Sequence, residues 1–254
     1  MNVFTICRKE LNSYFRSPIA YGVMFFFALI AGYFFSLATA SFVRQSLQSA
    51  MMGQAQPMDV NDYVVRNLLG NISVIGLFMC PMITMRLFAE EKRTGTIELL
   101  VTSPLNNWEI IGGKFLAALI LYACMLGISL LNLVTLYFYG KPEWKAMLIG
   151  YLGLLLQGGC MLALGTFISS CTRNQIVAVV ATFAVLLLLW VISWLGMLDS
   201  TPTMRVISYF SILDHLDSFT KGVLDSKDAI YFLSMIFLGL FLTGRSMESI
   251  RWRA

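Results

Sequence analysis

Charge is the scarcest ingredient of this chain. Asp, Glu, Lys and Arg make up 13% of its 254 residues, where a soluble domain carries about 25%. So few charges cannot clothe a water-facing surface, which excludes an ordinary soluble globule. There is one histidine, His215, and no second ligand lies near it in the sequence. The five cysteines, Cys7, Cys80, Cys124, Cys160 and Cys171, have no metal-ligand spacing and read as reduced packing residues rather than a disulfide framework. Missing too are an HExxH helix, a GxSxG elbow, a Walker A loop and a glycine-rich dinucleotide turn, so no catalytic, metal or cofactor site is expected in this chain. Lys and Arg do not cluster into a nucleic-acid footprint. No repeat, low-complexity tract or separate soluble domain interrupts residues 1–254, which read as a single domain.

Apolar length is abundant instead. The chain is 58% hydrophobic, with a mean hydropathy of +0.75. Six segments, roughly 19–43, 67–85, 115–139, 146–170, 176–198 and 229–244, contain no Asp, Glu, Lys, Arg or His. Most reach the length of about 20 residues that a helix needs to cross the hydrocarbon of a bilayer. The last is shorter, but Asp228 and Arg245 at its edges can lean toward the headgroups. Ala38-Thr39-Ala40 has the form of a signal-peptidase site, yet the apolar run before it is too long for a signal peptide, so the first segment is expected to stay in the membrane. Arg8, Lys9, Arg16, Arg86, Lys92, Arg93, Lys114, Arg173, Arg245, Arg251 and Arg253 fall on one side, outnumbering seven basic residues on the other. By the positive-inside rule both termini are then cytoplasmic.

The spans carry none of the ionisable groups that mark ion-coupled transport or intramembrane catalysis. Asn71, Asn132 and Gln157 are expected to bond between helices, and the pairs Ala28/Gly32 and Gly159/Ala163 to let helices approach. His215, between Asp214 and Asp217, reads as a surface residue, with a catalytic role as the alternative.

Three segments outside the spans are more informative. Between Val3 and Phe15 the residues Val3, Phe4, Cys7, Leu11, Tyr14 and Phe15 share one helical face, with Arg8, Lys9, Asn12 and Arg16 opposite. Glu10 alone breaks the pattern, at the apolar edge. Ser17-Pro18 then bends the chain, so residues 1–18 form an interfacial helix. In residues 86–114, span two can continue through Arg93, Gly95 permits a reversal, and Thr96 can cap a short helix with Ile97, Leu100 and Val101 on one face. Pro104 ends it, and Asn106 with Glu109 has capping-box spacing for the next span. Such a punctuated apolar face suits a groove on a partner, or else the leaflet itself. In residues 199–228, Ile212, Leu213, Leu216, Phe219 and Val223 form a stripe, Asp217 and Lys221 are spaced to pair, and Asp225 can cap the last span.

These residues resemble the ABC-2 family of transporter permeases along essentially the whole chain. The resemblance is carried by Arg8-Lys9-Glu10 with Ser17-Pro18, by the run Glu90-Glu91-Lys92-Arg93-Thr94-Gly95-Thr96-Ile97-Glu98, and by Pro104 and Gly113-Lys114. The ending, with Asp214-His215, Lys221-Gly222-Val223, Asp225, Tyr231-Phe232-Leu233-Ser234 and Arg251-Trp252-Arg253, is most similar to the bacterial gliding-motility-type subunits. The resemblance implies an all-α membrane protein of six transmembrane helices in ABC-2 (type V) exporter architecture. It further implies an N-terminal elbow helix bearing Arg8, Lys9, Glu10 and Arg16, and external re-entrant helices between spans five and six. Coupling to a separate ATPase would run through Glu90, Glu91, Arg93, Gly95, Thr96, Ile97, Glu98, Leu100 and Pro104. ATP and Mg would sit on that ATPase, expected in two copies, and a second permease chain would complete a homodimer or heterodimer among the lipids of a bacterial inner membrane. Alternatives from another class are a channel or scaffold without an ATPase and a membrane enzyme using His215.

Overall fold

A computed structural model of the chain describes residues 2–52, 59–97, 105–139, 143–198 and 207–251, and these are helical with short connections. We number the helices α1 (Asn2–Arg16), α2 (Pro18–Met51), α3 (Arg66–Thr84), α4 (Ala89–Thr94), α5 (Asn107–Tyr139), α6 (Trp144–Cys171), α7 (Gln175–Leu198), α8 (Ile212–Thr220) and α9 (Ser226–Arg251). A π-helical turn, Asn61–Val65, leads into α3. Among the described residues six helical stretches are long and apolar enough to cross a membrane: Ala20–Met51, Asn61–Thr94, Asn107–Tyr137, Trp144–Cys171, Gln175–Trp194 and Ser226–Ser249. They overlap the six segments expected from the sequence. Most overshoot them because nothing in the flanking polar residues stops a helix. At a rise of 1.5 Å per residue the 34 residues of α2 extend about 51 Å, against roughly 30 Å of hydrocarbon.

Helix α6 is the axis of the bundle and packs against α3, α5, α7, α8 and α9. Its small residues permit this. Neighbouring side chains occupy the space where Cβ atoms would stand: Leu69 at Gly150, Phe219 at Gly153, Tyr122 at Gly158 and Thr84 at Gly165. Gly239 of α9 comes close to Ala163, so that an added Cβ would lie 2.8 Å from its backbone. The expected Gly159/Ala163 seam therefore joins α6 to α9. Gly32, by contrast, faces open space, so no close helix approach is made at that position among the described residues. Helix α2 buries Ala20, Phe27, Ala31 and Ala38 along one line and exposes Tyr21, Phe25, Phe26 and Tyr33.

Polar bonds knit the apolar interior. Gln157 Nε2 donates to Ser73 Oγ at 2.6 Å between α6 and α3, as expected for a span amide. The hydroxyls of Ser129 and Tyr151 meet at 2.9 Å between α5 and α6. Asn71 differs from expectation: its Nδ2 donates to the Asn67 carbonyl on its own helix. All five cysteines are free.

The bundle has two dissimilar ends. The base gathers α1, α4, the start of α5 and the ends of α6 and α9. The crown gathers the starts of α3, α6 and α9 with α8. Gly158→Ala, which pushes a methyl into the Tyr122 ring, is expected to destabilise the fold by roughly 1–3 kcal/mol. Gly127→Ala, where a Cβ meets open space, should leave the unfolding temperature in detergent unchanged. Thermal denaturation of both variants checks this.

Candidate functional site

At the base, α1 ends at Arg16, Ser17 turns the chain with its N–H on the Tyr14 carbonyl at 3.1 Å, and Pro18 opens α2. The apolar face of α1 lies on α5. Gly113 permits the approach, since a Cβ there would stand 2.8 Å from Ile6. Cys7 is buried in this seam, and burial followed by the nearby Glu10 carboxylate pushes its thiol pKa up. Phe4 departs from the expected face and is 77% exposed.

The continuous extension of span two expected through Arg93 is broken. Helix α3 stops at Thr84, residues 85–88 form a turn, and α4 starts at Ala89. The break is stabilised from outside. Ser169 Oγ of α6 accepts from the N–H groups of Phe88 and Ala89, each at 3.2 Å, and donates to the Met85 carbonyl at 3.3 Å. One hydroxyl thus supplies the N-cap that Phe88 cannot. The Leu87 N–H turns to the Thr84 carbonyl, and the Ile83 carbonyl accepts instead from Tyr14 Oη of α1 at 3.3 Å. In return, Lys92 of α4 donates to the Ser170 carbonyl, and Ser246 of α9 donates to the same oxygen at 3.1 Å. A cation there meets the negative end of the α6 dipole.

Lys114, in the second turn of α5, is the centre of this junction. Its side chain is 2% exposed. The ammonium lies 3.0 Å from Glu10 Oε1 of α1 and 2.8 Å from Glu91 Oε1 of α4, and stands 5.3 Å from the centre of the Phe88 ring. One cation therefore holds two carboxylates on two separate helices. Glu91 Oε2 and Arg86 Nε are buried without a hydrogen-bond partner. Directly beyond, α4 ends at Gly95 in the left-handed region, φ 73°, and the hydroxyls of Thr94 and Thr96 meet at 2.9 Å.

Of the residues singled out from the sequence, Glu10 and Glu91 are brought together. Arg8, Lys9 and Arg16 line the outer face of α1, Glu90 is half-buried, and Arg93 and Thr96 are exposed, while Ile97 is buried. Glu98, Leu100 and Pro104 lie outside the described residues. Asn106 and Glu109 form the expected capping box, with Asn106 N–H donating to Glu109 Oε2 at 3.2 Å and Trp108 N–H to Asn106 Oδ1 at 3.3 Å. The roles of Tyr14, Lys92, Ser169 and Lys114 in the junction were not foreseen. The one available signal was Glu10, an acid on an apolar edge that calls for a buried cation.

At the crown, α8 buries Ile212, Leu216 and Phe219 and leaves Val223 exposed. Asp217 pairs with Arg66 of α3 at 2.7 Å and with Lys221 as its spacing required. Partial burial works against the Asp217 charge, but hydrogen bonds from Lys221 and Arg66 hold its pKa below the usual carboxylate range. Burial pushes Asp214 the other way. Asp225 accepts from the Lys227 N–H at 3.2 Å and so caps α9. His215, expected at the surface, is instead 5% exposed. Its Nδ1 lies 2.7 Å from Asp228 Oδ1 and its Nε2 lies 2.9 Å from the Tyr209 carbonyl, with Tyr231 stacked on the ring at 3.9 Å. Helix–helix packing rather than sequence neighbours put it there. Both ring nitrogens are thus engaged within the chain. No group of three metal-binding side chains exists among the described residues.

A family model described as ABC-2 family transporter protein matches residues 4–244. The chain belongs to this family of ABC transporter permeases, and it is a multi-pass membrane protein. Among curated relatives it is similar to the "Probable multidrug ABC transporter permease YbhR" of Escherichia coli K12 and of Escherichia coli O157:H7. The identity is 24% over 168 residues in each, covering 65% of this chain and 44% of the relative. The chain thus spans less than half the length of the curated relatives it matches. Permeases of this family work with an ABC ATPase.

Lys114→Met should cost about 3–5 kcal/mol, because it leaves two buried carboxylates unpaired. The combination Lys114→Met, Glu10→Gln and Glu91→Gln should recover most of that loss. Unfolding of the two variants in detergent measures the difference.

Proposed function

We propose that this chain is the permease subunit through which ATP hydrolysis on a separate cytoplasmic ATPase drives transport across a bacterial inner membrane. The observation that carries the reading is the Lys114 junction. It ties α4, from which the docking segment 98–104 departs, to α1 and to the start of the third span. In this reading α1 is the elbow helix, residues 86–114 are the coupling segment, and α8 belongs to the re-entrant segment 199–228, all within one ABC-2 (type V) domain. The basic excess at the base supports cytoplasmic termini. With no ionisable group in the six apolar segments read from the sequence, this reading has the energy arrive from outside the chain. ATP and Mg belong to the ATPase, present as two copies.

A second permease chain, identical or not, completes the pathway. The outward face of α3 supports this, since Tyr63 and Asn67 are exposed and Asn71 half-buried and amides in a span are costly against lipid. Beside them a cleft of about 700 Å³ opens between α3, α7 and α8, lined by Arg66, Asn67, Asn71, Trp194 and Asp214. The relatives' name, a probable multidrug permease, supports a drug-like cargo. The terminal motifs support a complex of the gliding-motility type, with transmitted force as its output in place of cargo.

Affinity purification of the chain in mild detergent should recover a stoichiometric nucleotide-binding subunit with ATPase activity. Glu91→Gln and Gly95→Val should keep the complex together yet lower the transport or force output per ATP severalfold. Recovery of the chain alone, with no ATPase activity, would replace this reading with a passive channel or scaffold.

A further inference from the structure

We propose that the exposed face of α1 is a binding surface for anionic phospholipid headgroups. An interfacial amphipathic helix ordinarily holds the membrane with its apolar face. In α1 that face is occupied, because Val3 and Ile6 press on α5 at Gly113, Cys7 is buried, and Tyr14 is bonded to the end of α3. Contact with the leaflet falls to the opposite side. That side carries Arg8, Lys9 and Arg16 around a shallow groove of about 660 Å³, with Asn12 and Ser13 as further hydrogen-bonding groups. None of the three cations forms an ion pair among the described residues. The only acid of the helix, Glu10, is turned inward onto Lys114, so the face keeps its full charge.

The aromatic edge of the same face identifies the occupant as lipid. At 100° per residue, Phe4 and Phe15 fall within about 20° of each other and beside Arg8. Both are exposed, and the Phe15 ring meets Tyr21 edge-on at 6.2 Å. Tyr21 lies on the outward face of α2, so the aromatic edge of α1 continues into the surface that meets acyl chains. The cations alongside then stand at headgroup level, where basic side chains attract anionic lipid. Phosphate oxygens on the arginines, with Asn12 and Ser13 bonding the rest of the headgroup, suit a phosphatidylglycerol-type lipid.

The inference rests on the chain spanning a bilayer and not on its coupling to an ATPase. The experiment uses the full chain alone, reconstituted in nanodiscs of phosphatidylcholine with a minor fraction of phosphatidylglycerol. Co-retained lipid after re-extraction is counted by mass spectrometry. Wild type should retain phosphatidylglycerol above its bulk fraction, with affinity falling about fivefold per cation removed in Arg8→Gln, Lys9→Gln and Arg16→Gln. Arg8→Lys with Arg16→Lys should keep the enrichment, and added salt should weaken it in wild type. Equal retention by wild type and the triple Gln variant would overturn the proposal. So would loss of a bound acidic protein, in place of lipid, when the triple variant is purified from cells in parallel with wild type, which would make an acidic protein surface the occupant.

Discussion

A buried ammonium needs its counter-charges held in place, because either partner left alone in a low dielectric is far costlier than the pair. That condition governs the base of this protein. Lys114 can stay buried only while Glu10 and Glu91 reach it, so α1 and α4 are fixed relative to α5 by electrostatics as well as by packing. The close approach at Gly113, the bond from Tyr14 to Ile83 and the break between α3 and α4 are all needed to bring the two carboxylates to one point. The geometry is also over-subscribed. Two acids share one lysine, and the second oxygen of Glu91 has no hydrogen-bond partner among the described residues. A junction with one surplus acceptor is better suited to exchanging partners than a matched pair would be.

The six spans could be read from the sequence because a bilayer imposes length and apolarity on every crossing helix, and both are visible residue by residue. Local punctuation was equally legible. Ser17-Pro18, Gly95, Asn106 with Glu109, Asp217 with Lys221 and Asp225 involve only residues within a few positions of one another. What could not be read depends on partners distant in the chain. Ser169 caps a helix 80 residues away, and Lys114 finds Glu10 across 104 positions. His215 looked like a surface residue because its neighbours in sequence are acids. Its real partner, Asp228, arrives from α9. Of the expected coupling segment 86–114, only residues 98–104, with Glu98, Leu100 and Pro104, lie beyond the described residues.

The two ends use the same kinds of bond for different purposes. At the crown, Arg66, Asp217 and Lys221 are all partly exposed, and exposed pairs contribute little to stability. They orient α8 more than they hold it. The apolar contact of Phe219 with Gly153 and the enclosed His215–Asp228 pair anchor that helix. At the base the charged groups are largely enclosed and two of the three helices they join, α1 and α4, are short, so the electrostatics carry more of the load.

Helix α6 runs without interruption between these ends, about 42 Å from Trp144 to Cys171. Near one terminus Gly153 seats Phe219 and Ala146 abuts Gly222. At the other, Ser169 and Ser170 hold α4 and α9. It therefore has the form of a push-rod. A stiff helix clamped at both tips offers a single rigid part through which a movement of α4 would reach α8.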